Sequence, residues 1–422
     1  MKPRFLALGV LYPGTGFTRV LEALIAHLAQ RWEIHVVGIG HTEAPLDRPG
    51  FRLHPALPGG DLFGAQALRR LARELQPEAI LVYHDLWQLG RYARALESAR
   101  GSSRLIAYIP LDGAIPVSER GSDLVRPLLG FDQVLVFTEW AAGEIRRALG
   151  RLGDAPAVAH PMVGVVGHGV DLDKFHPLPD LAANFDPRER AHAKRQVFPH
   201  LEADSFVVLN ASRPSARKRL DLTLDGFAWF ARDTPPGVRL CLHQAVHSAS
   251  DRTELIERAS ALGLASRLEL EPLGSQCLSD QDLNLLYNAC DVGLSTSMGE
   301  GWGLVSCEHA AAGGAQVVPR HSACEEIWAA QRAEDATLTT DVACFLEPVS
   351  REVPAFSPLE LAAVSAAGVA AALQDLQHDP QRLRELARAG WARMHEDRFR
   401  WSWVGGALER QLPGARVYSQ PT

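Results

Sequence analysis

The stretch Ser297–Pro319 reads SMGEGWGLVSCEHAAAGGAQVVP. It opens with a small polar turn rich in glycine. The run Leu304–Ala312 follows, and its alanines with Glu and Leu are typical of a helix. Gly313-Gly314 then predicts the end of that helix, since glycine is the commonest residue just past a helix C-terminus. Val317-Val318 predicts a buried strand, which a proline closes. The stretch therefore predicts a turn, a helix and a strand of an α/β sheet.

The turn before this helix is a candidate anion site. The first N–H groups of a helix have no partner within the helix, and the helix dipole favours negative charge at that end. Two carboxylates, Glu300 and Glu308, stand eight positions apart. Glu300 precedes the helix and Glu308 lies within its opening turns. A ligand with a phosphate over the helix start would therefore meet a carboxylate on two sides.

The segment EGWGLVSCE, with Glu300 and Glu308 at its ends, resembles the signature of retaining nucleotide-sugar glycosyltransferases of family 4. The family usually has Phe where this chain has Trp302. The resemblance implies the GT-B fold, in which two doubly wound Rossmann-like domains face a cleft. It is close over Val165–Pro319 and looser in the first half of the chain. An ordinary strand-turn-helix unit with two surface glutamates is the alternative interpretation of the motif.

Bulk properties define the class of protein. A chain of 422 residues is too long for one core and predicts two or three domains. The net charge of −7 argues against a nucleic-acid partner. Six cysteines without a CxxC pair predict free buried thiols rather than disulfides or zinc. No window is long enough for a transmembrane helix, so we expect a cytoplasmic protein with at most peripheral membrane association.

Apolar runs alternate with helical patterns along the whole chain, which predicts parallel, doubly wound sheets. Ligands of such sheets bind at the carboxyl ends of the strands. The predicted strands are Phe5–Leu11, Ile34–Ile39, Ala79–Tyr83, Leu105–Ile109, Gln133–Phe137, Phe206–Asn210, Arg239–His243, Leu268–Leu270 and Asp291–Ser295. The predicted helices include Val20–Gln30, Leu68–Leu75, Trp140–Leu149, Leu222–Phe230, Leu255–Leu262, Asp282–Asn288, Leu359–Leu376 and Pro380–His395, and Leu181–Glu202 is predicted as a linker with a short helix.

Turns after strands of the first half supply candidate ligand contacts. Gly14 and Gly16 would let a backbone approach a phosphate, but Arg19 occupies the position of the third glycine in a dinucleotide fingerprint. A plain tight turn is the alternative. The family's glycine-rich loop lies near the donor phosphates or the acceptor. In the family, the turn that corresponds to the one holding Asp112 presents a His or Asp to the transferred sugar. The resemblance therefore implies that Asp112 contacts this sugar. The turn His84-Asp85 is a third candidate.

The segment Ala211–Arg219, ASRPSARKR, places four cations after a predicted strand, in a chain that has only four lysines. A charge run is usually a solvated surface, but this one follows a strand's carboxyl end. Arg213 and Lys218 match the Arg and Lys with which the family holds the donor diphosphate. Arginine adds planar, bidentate geometry to such contacts. Where the family often has Gly after the lysine, this chain has Arg219.

Two further turns of the second half bear on the donor. The family frequently has a glycine-rich turn after the strand that here ends at His243, but Gln244 and Ala245 follow it. The turn after the next strand holds Leu273. In the family, backbone groups of that turn usually contact the nucleobase. The resemblance therefore implies a base contact at Leu273.

The resemblance thus assigns a role to each matching residue. Glu308 would bind the ribose hydroxyls and Glu300 the transferred sugar, because a carboxylate accepts two hydrogen bonds. The helix N-terminus and the Arg–Lys pair would hold the diphosphate, so no metal and no other cofactor is expected. The predicted catalytic residues are Glu300, Asp112, Arg213 and Lys218, and the predicted donor-binding residues are Glu308, Gly301, Trp302, Gly303, Leu304, Val305, Leu273, Gly14 and Gly16.

The segment Val165–Pro177, VVGHGVDLDKFHP, resembles the family's interdomain signature. It predicts an acceptor-side domain over 1–175 and a donor domain over 176–395. The tail, 396–422, carries Trp401 and Trp403, and in GT-B proteins the last helix packs back on the first domain. We expect these tryptophans to be packing anchors.

The resemblance predicts transfer of a hexose from a UDP- or GDP-sugar, with retention, to a glycan, lipid or small-molecule acceptor. The sequence does not predict the base, the sugar, the acceptor or the oligomeric state, because specificity lies in turns that follow no common sequence code. A GT-B phosphorylase or epimerase is an alternative, although a phosphorylase would need a Schiff-base lysine. A non-catalytic GT-B scaffold that binds a nucleotide is another. An NAD-dependent oxidoreductase is disfavoured by the missing third glycine.

Overall fold

The computed structural model describes residues 2–12, 14–57, 59–153, 159–182, 185–246, 248–274, 277–330 and 341–414. The chain divides into two compact units. Unit 1 comprises Met1–Gly169, Ser357–Leu359 and Arg398–Thr422, and unit 2 comprises Val170–Phe356 and Glu360–Asp397. The domain boundaries expected from the sequence, 1–175, 176–395 and 396–422, remain predictions.

Unit 1 is built on an eight-stranded sheet with the order β3-β4-β2-β1-β5-β6-β7-β8. All neighbouring strands are parallel except the antiparallel pair β3 and β4. Long apolar runs predicted its central strands because those strands are covered on both faces. The strands are β1 Arg4–Val10, β2 Glu33–Ile39, β3 Leu46–Arg48, β4 Phe51–Pro55, β5 Ala79–Tyr83, β6 Arg104–Ile109, β7 Gln133–Val136 and β8 Met162–Val165.

Helices connect these strands, and side-chain caps start several of them. The hydroxyls of Thr15 and Thr138 each accept the backbone N–H three residues later, which satisfies an otherwise unpaired donor. The helices of unit 1 are α1 Gly16–Leu28, α2 Ala65–Leu75, α3 Leu89–Leu96, α4 Glu119–Val125 and α5 Glu139–Gly150.

Unit 2 holds a six-stranded, all-parallel sheet with the order β11-β10-β9-β12-β13-β14, and a separate antiparallel pair, β15 and β16. Its strands are β9 Val207–Asn210, β10 Arg239–Leu242, β11 Leu268–Leu270, β12 Val292–Leu294, β13 Ala315–Pro319, β14 Cys344–Leu346, β15 Ser350–Glu352 and β16 Leu361–Ala363. Its helices are α6 Pro179–Ala182, α7 Ala191–Val197, α8 Leu220–Ala231, α9 Ala249–Ala261, α10 Asp280–Ala289, α11 Leu304–Ala311, α12 Ser322–Trp328, α13 Ala366–His378 and α14 Pro380–Met394.

The last helix, α15 Trp401–Arg410, belongs to unit 1 and packs against α1. A Cβ at Gly405 would come within 2.3 Å of the His27 ring, so only glycine allows this approach. Trp401 stacks on the buried His168 with ring centroids 6.2 Å apart, whereas Trp403 is 43% exposed. Trp401 is therefore a packing residue within its unit.

The predicted helix Leu359–Leu376 is wrong at its start. Leu361–Ala363 instead forms β16, because it pairs with Ser350–Glu352. Helix α13 begins only after Ser365, whose hydroxyl accepts the Gly368 N–H. The alanine-rich composition of this segment favours a helix, but pairing with the preceding strand, β15, overrides that local preference.

The predicted linker over Leu181–Glu202 also contains more structure than expected. Arg190 and Lys194 are buried there, and both reach the carboxylate of Asp291 at the start of β12. The nitrogen–oxygen distances are 3.5 Å for Arg190 and 2.9 Å for Lys194. This buried cluster fastens the segment to the sheet of unit 2.

Two bulk expectations can be compared with the structure. All six cysteines are free, and Cys277 is exposed whereas the other five are buried. Within the described parts of the chain, no helix combines the length and the apolar character needed to cross a bilayer.

Candidate active site

The turns at the carboxyl edge of unit 2's sheet share an unusual backbone conformation. Each turn after β9, β10, β11, β12 and β13 contains a residue with positive φ. These residues are Arg219, Gln244, Glu271, Gly303 and Ser322, with φ between 46° and 93°. For residues other than glycine this conformation costs about 1–3 kcal/mol, and such strain clusters at functional sites. The same edge is where parallel sheets bind ligands.

Glu300 lies in the turn between β12 and α11 and is 8% exposed. Its carboxylate forms an ion pair with the ammonium group of Lys218. A guanidinium nitrogen of Arg217 is 3.5 Å from the second carboxylate oxygen. The Glu300 backbone N–H donates to the Ser322 hydroxyl at 3.2 Å. Glu300 is thus held by residues from the turns after β9 and β13.

The cations keep this carboxylate ionised. Burial alone would raise the pKa of Glu300, because it disfavours the charged form. The charges of Lys218 and Arg217 and the hydrogen bonds from Lys218 and Ser297 outweigh burial and lower the pKa to about 2. Glu300 is therefore a pure hydrogen-bond acceptor at neutral pH.

The cationic segment after β9 is locked to the Glu300 turn. Its short 3₁₀ turn, Ala216–Lys218, places Arg217 and Lys218 side by side. Arg217 donates to the hydroxyl of Ser297 at 3.2 Å and to the carbonyl of Gly299. In return, the Met298 N–H donates to the Arg217 carbonyl at 2.8 Å. The two turns form one hydrogen-bonded unit.

Sequence reasoning selected Lys218, which lies in this cluster, but did not select Arg217. The only signal for Arg217 was its membership of the cationic run, and spacing does not say which arginine faces Glu300. Arg213 lies half-buried in the same loop, and its phosphate contact stays a prediction. Arg219 adopts φ 49°, a conformation that glycine adopts at little cost. It forms a bidentate ion pair with Asp221.

Helix α11 begins at the glycine-rich turn as predicted. Gly303 is its N-cap with φ 93°, a conformation that glycine adopts at little cost. A Cβ at Gly303 would meet no atom within 4 Å, so the space beside it is open. Gly301 and Trp302 are buried, while Leu304 and Val305 are half-buried in the first helical turn. The start of α11 has the geometry of an anion site.

Glu308 lies inside α11 and is 5% exposed. Its carboxylate accepts a hydrogen bond from the hydroxyl of Tyr287 on α10 at 3.1 Å. Sequence reasoning missed Tyr287, since nothing local marks a helical tyrosine as a partner of a distant glutamate. Leu273 is half-buried in the turn after β11, which the Gly274 N–H closes by donating to the Glu271 carbonyl at 2.8 Å.

The remaining candidates lie in unit 1. Gly14 has φ 72° and precedes the Thr15 cap of α1, which Gly16 begins. Asp112 is half-buried in the turn after β6. Burial, followed by the charges of Asp85 and Asp112, raises the pKa of Tyr83 well above its usual value. Asp85 and Asp112 therefore act on one buried phenol, at the carboxyl ends of the neighbouring strands β5 and β6.

His84 is buried at the same edge. Its Nδ1 accepts the Asp85 backbone N–H at 2.7 Å. Burial and then the charge of Arg91 lower the pKa of His84 to about 4, so the ring is neutral at physiological pH. Among the described residues of both units, no group of three or more His, Cys, Asp or Glu is arranged to hold a metal ion.

Comparison with known proteins gives a result only at the level of structure. No protein-family model matches this sequence, and no curated protein matches it. Sucrose-phosphate synthase from Thermosynechococcus elongatus superposes with a TM-score of 0.70 at 17% identity, covering 97% of this chain and 99% of the other. HepE from Anabaena, in complex with UDP and glucose, gives 0.67 at 16% identity with the same coverage. The chain has the GT-B fold.

A third GT-B structure, α,α-trehalose 6-phosphate synthase from Burkholderia multivorans, gives a TM-score of 0.65 at 14% identity and covers 97% of this chain and 96% of the other. These identities are low, so the likeness establishes the GT-B fold and leaves the chemistry to the site. The predicted fold class, two doubly wound α/β units, is confirmed.

Proposed function

We propose that this chain is a retaining glycosyltransferase of the family 4 type that transfers a hexose from a UDP- or GDP-sugar to a glycan, lipid or small-molecule acceptor. The observation that carries the proposal is the ionised Glu300 between Lys218 and Arg217, next to the glycine-capped start of α11. This arrangement combines cations and helix N–H groups for a diphosphate with a carboxylate for sugar hydroxyls.

In the proposed reaction, Lys218, Arg217 and Arg213 bind the donor diphosphate together with the first N–H groups of α11. The bond between the sugar's anomeric carbon and the diphosphate breaks, the acceptor's hydroxyl oxygen bonds to that carbon, and the hydroxyl proton passes to the departing diphosphate. Negative charge develops on the diphosphate as it leaves, and these fixed groups stabilise it. The ammonium group of Lys218 has three N–H donors, so it binds the diphosphate while it stays paired with Glu300. The remaining lone pairs of the Glu300 carboxylate accept from the hydroxyls of the transferred sugar.

Glu308 binds the ribose hydroxyls in this proposal. The Tyr287 hydroxyl occupies one lone pair of its carboxylate and fixes its orientation, while the other oxygen accepts from the ligand. Leu273 contacts the base, and Gly14, Gly16 and Asp112 of unit 1 contact the phosphates, the acceptor or the transferred sugar. No metal takes part, because the cations and the helix supply the positive charge. The enzyme acts in the cytoplasm with at most peripheral membrane association.

Solved GT-B structures support a nucleotide-sugar donor. HepE has been crystallised with UDP and with UDP-glucose. The names of the two synthases describe transferases that form sucrose phosphate and trehalose 6-phosphate. These properties belong to those proteins, and for this chain they favour a nucleotide-sugar transferase over other GT-B functions.

The lysines count against a phosphorylase with a Schiff-base lysine, because each of the four is engaged. The partners are the Ala29 carbonyl for Lys2, Asp280 for Lys174, Asp291 for Lys194 and Glu300 for Lys218. A non-catalytic scaffold would bind a nucleotide but would not need a buried, ionised Glu300.

The test is a panel of nucleotide sugars with the full chain, in which hydrolysis or transfer is followed by release of the nucleoside diphosphate. We expect turnover of at least one UDP- or GDP-sugar and a large loss of turnover in Glu300→Gln. Product formed with the anomeric configuration of the donor would support retention. Diphosphate binding without any turnover would favour the scaffold, and absence of both would refute the proposal.

A further inference from the structure

Unit 1 contains a groove beside the carboxyl end of β5. It has a volume of about 400 Å³. One wall is the 3₁₀ turn Leu86–Gln88 and the first turns of α3. The other wall is the end of α4 and the residues that follow it. The groove adjoins the His84-Asp85 turn, at the sheet edge where ligands of parallel sheets bind.

The groove offers an aromatic surface to a ligand. Trp87 lines it and is 45% exposed, so part of its ring is accessible to a ligand. Leu124 and Pro127 line the opposite wall. Concave sites with apolar walls and a few polar groups are typical of small-molecule binding. Gln88 supplies an amide in the same groove.

The groove lining has more positive than negative side chains, two arginines and one aspartate, in a protein whose net charge is −7. Arg91 and Arg94 both line it, three residues apart on α3 and therefore on one helix face. Within the described residues, neither arginine forms an ion pair. The Arg91 guanidinium lies 4.0 Å above the Phe63 ring, which orients it. The carboxylate of Asp123, also in the lining, is 3.5 Å from Arg126.

We propose that this groove binds an anionic sugar, one that carries a phosphate or a carboxylate. The sugar ring lies on Trp87, and Arg91 and Arg94 take the anionic group through charge-assisted, bidentate hydrogen bonds. A neutral sugar would lack these charge-assisted contacts. The identification of this ligand as the acceptor rests on the proposed transferase function, but its binding does not.

Calorimetry with the full chain tests the binding, with glucose 6-phosphate, glucuronate and glucose as probes. We expect one of the two anionic sugars to bind at least about tenfold more tightly than glucose, as charged hydrogen bonds imply. Arg91→Gln and Arg94→Gln should each weaken the anionic sugar about tenfold or more, and Trp87→Ala should weaken it as well. Arg69→Gln, an exposed change on α2 outside the groove, is the matched control, and thermal melting checks that every variant folds.

Equal affinities for all three sugars would overturn the proposal. So would loss of glucose 6-phosphate binding in Lys218→Met together with no effect in the two arginine variants, since the phosphate would then occupy the donor site. If the anionic sugar binds through Arg91 and Arg94 but no nucleotide sugar is turned over, the groove stands and the transferase proposal fails. If neutral acceptors are turned over and neither anionic sugar binds, the transferase proposal stands and the groove proposal fails.

Discussion

Lys218 and Glu300, which are 82 positions apart in the chain, form a largely buried ion pair at the carboxyl edge of unit 2's sheet. The pair exists because β9 and β12 are neighbours in the sheet, although two other strands separate them in sequence. The turns that follow them therefore meet. This contact helps to join the cationic segment to the glycine-rich turn, and it lowers the pKa of Glu300.

The ion pair should contribute to stability as well as to binding. Lys218→Met leaves Glu300 with Arg217 alone, and we expect a loss of about 1–3 kcal/mol in the free energy of unfolding, less than for a fully buried pair. Lys218→Met combined with Glu300→Gln should recover part of that loss. Denaturant unfolding of the two single variants and the double variant measures the coupling. Simple additivity would show that the two residues do not interact.

The diphosphate clamp gives a binding prediction. Arg213→Ala, Arg217→Ala and Lys218→Ala should each weaken a nucleoside diphosphate by about 1.5–3 kcal/mol, the value of a hydrogen bond to a charged group. Calorimetry with UDP and GDP measures these losses. Arg195→Ala, an exposed change on α7, is the control. Unchanged affinity in all three variants would remove the clamp from the mechanism.

The two glutamates should separate in their effects. Glu308→Gln should weaken the free diphosphate and the intact donor by similar factors, because it alters the ribose contact. Glu300→Gln should leave the affinity for the free diphosphate nearly unchanged and lower kcat with the donor, since its contact strengthens as charge builds on the sugar. Tyr287→Phe should resemble a mild Glu308 variant. An equal loss of diphosphate affinity in both glutamate variants would mean that Glu300 does not face the sugar.

Metal independence is a separate expectation. Transfer should persist in excess EDTA, because Lys218, the arginines and the start of α11 neutralise the leaving diphosphate. The measurement compares initial rates with EDTA, with added Mg²⁺ and with added Mn²⁺. Complete loss of activity in EDTA that either ion restores would require a metal in the mechanism.

His309 predicts a dependence of stability on pH. Burial, with a contribution from Arg190, lowers its pKa to about 3. The unfolded chain takes up this proton near pH 6.5, whereas the folded chain does so only near pH 3. Stability from this group is therefore complete above pH 6.5 and falls as the pH decreases toward 3, with a slope of about 1.4 kcal/mol per pH unit.

Unfolding of wild type and His309→Gln from pH 7 to 5 should show a flatter profile in the variant. The same pH profile in wild type and in His309→Gln would contradict this role of His309. His192→Gln, a change at an exposed histidine, is the control.

The sequence predicted those parts of the fold that depend on local composition. β1, β5 and β6 could be located because strands covered on both faces are continuous apolar runs. β15 and β16 could not, because each has three residues and is held by pairing with the other. In the candidate site, Glu300, Glu308 and Lys218 could be predicted because they belong to recognisable sequence motifs. Arg217 and Tyr287 were missed because their roles depend on which turns and helices meet in three dimensions.

The packing of α15 on α1 affects how unit 1 folds during synthesis and which fragments of the chain can contain it whole. During synthesis, α1 leaves the ribosome almost a whole chain length before its partner exists. A fragment that stops at Gly169 therefore lacks a helix of its own unit. Circular permutation that joins residues 398–414 in front of β1 would make most of unit 1 contiguous. Such a permuted chain, and not a simple truncation, is the suitable form for studying unit 1 in isolation.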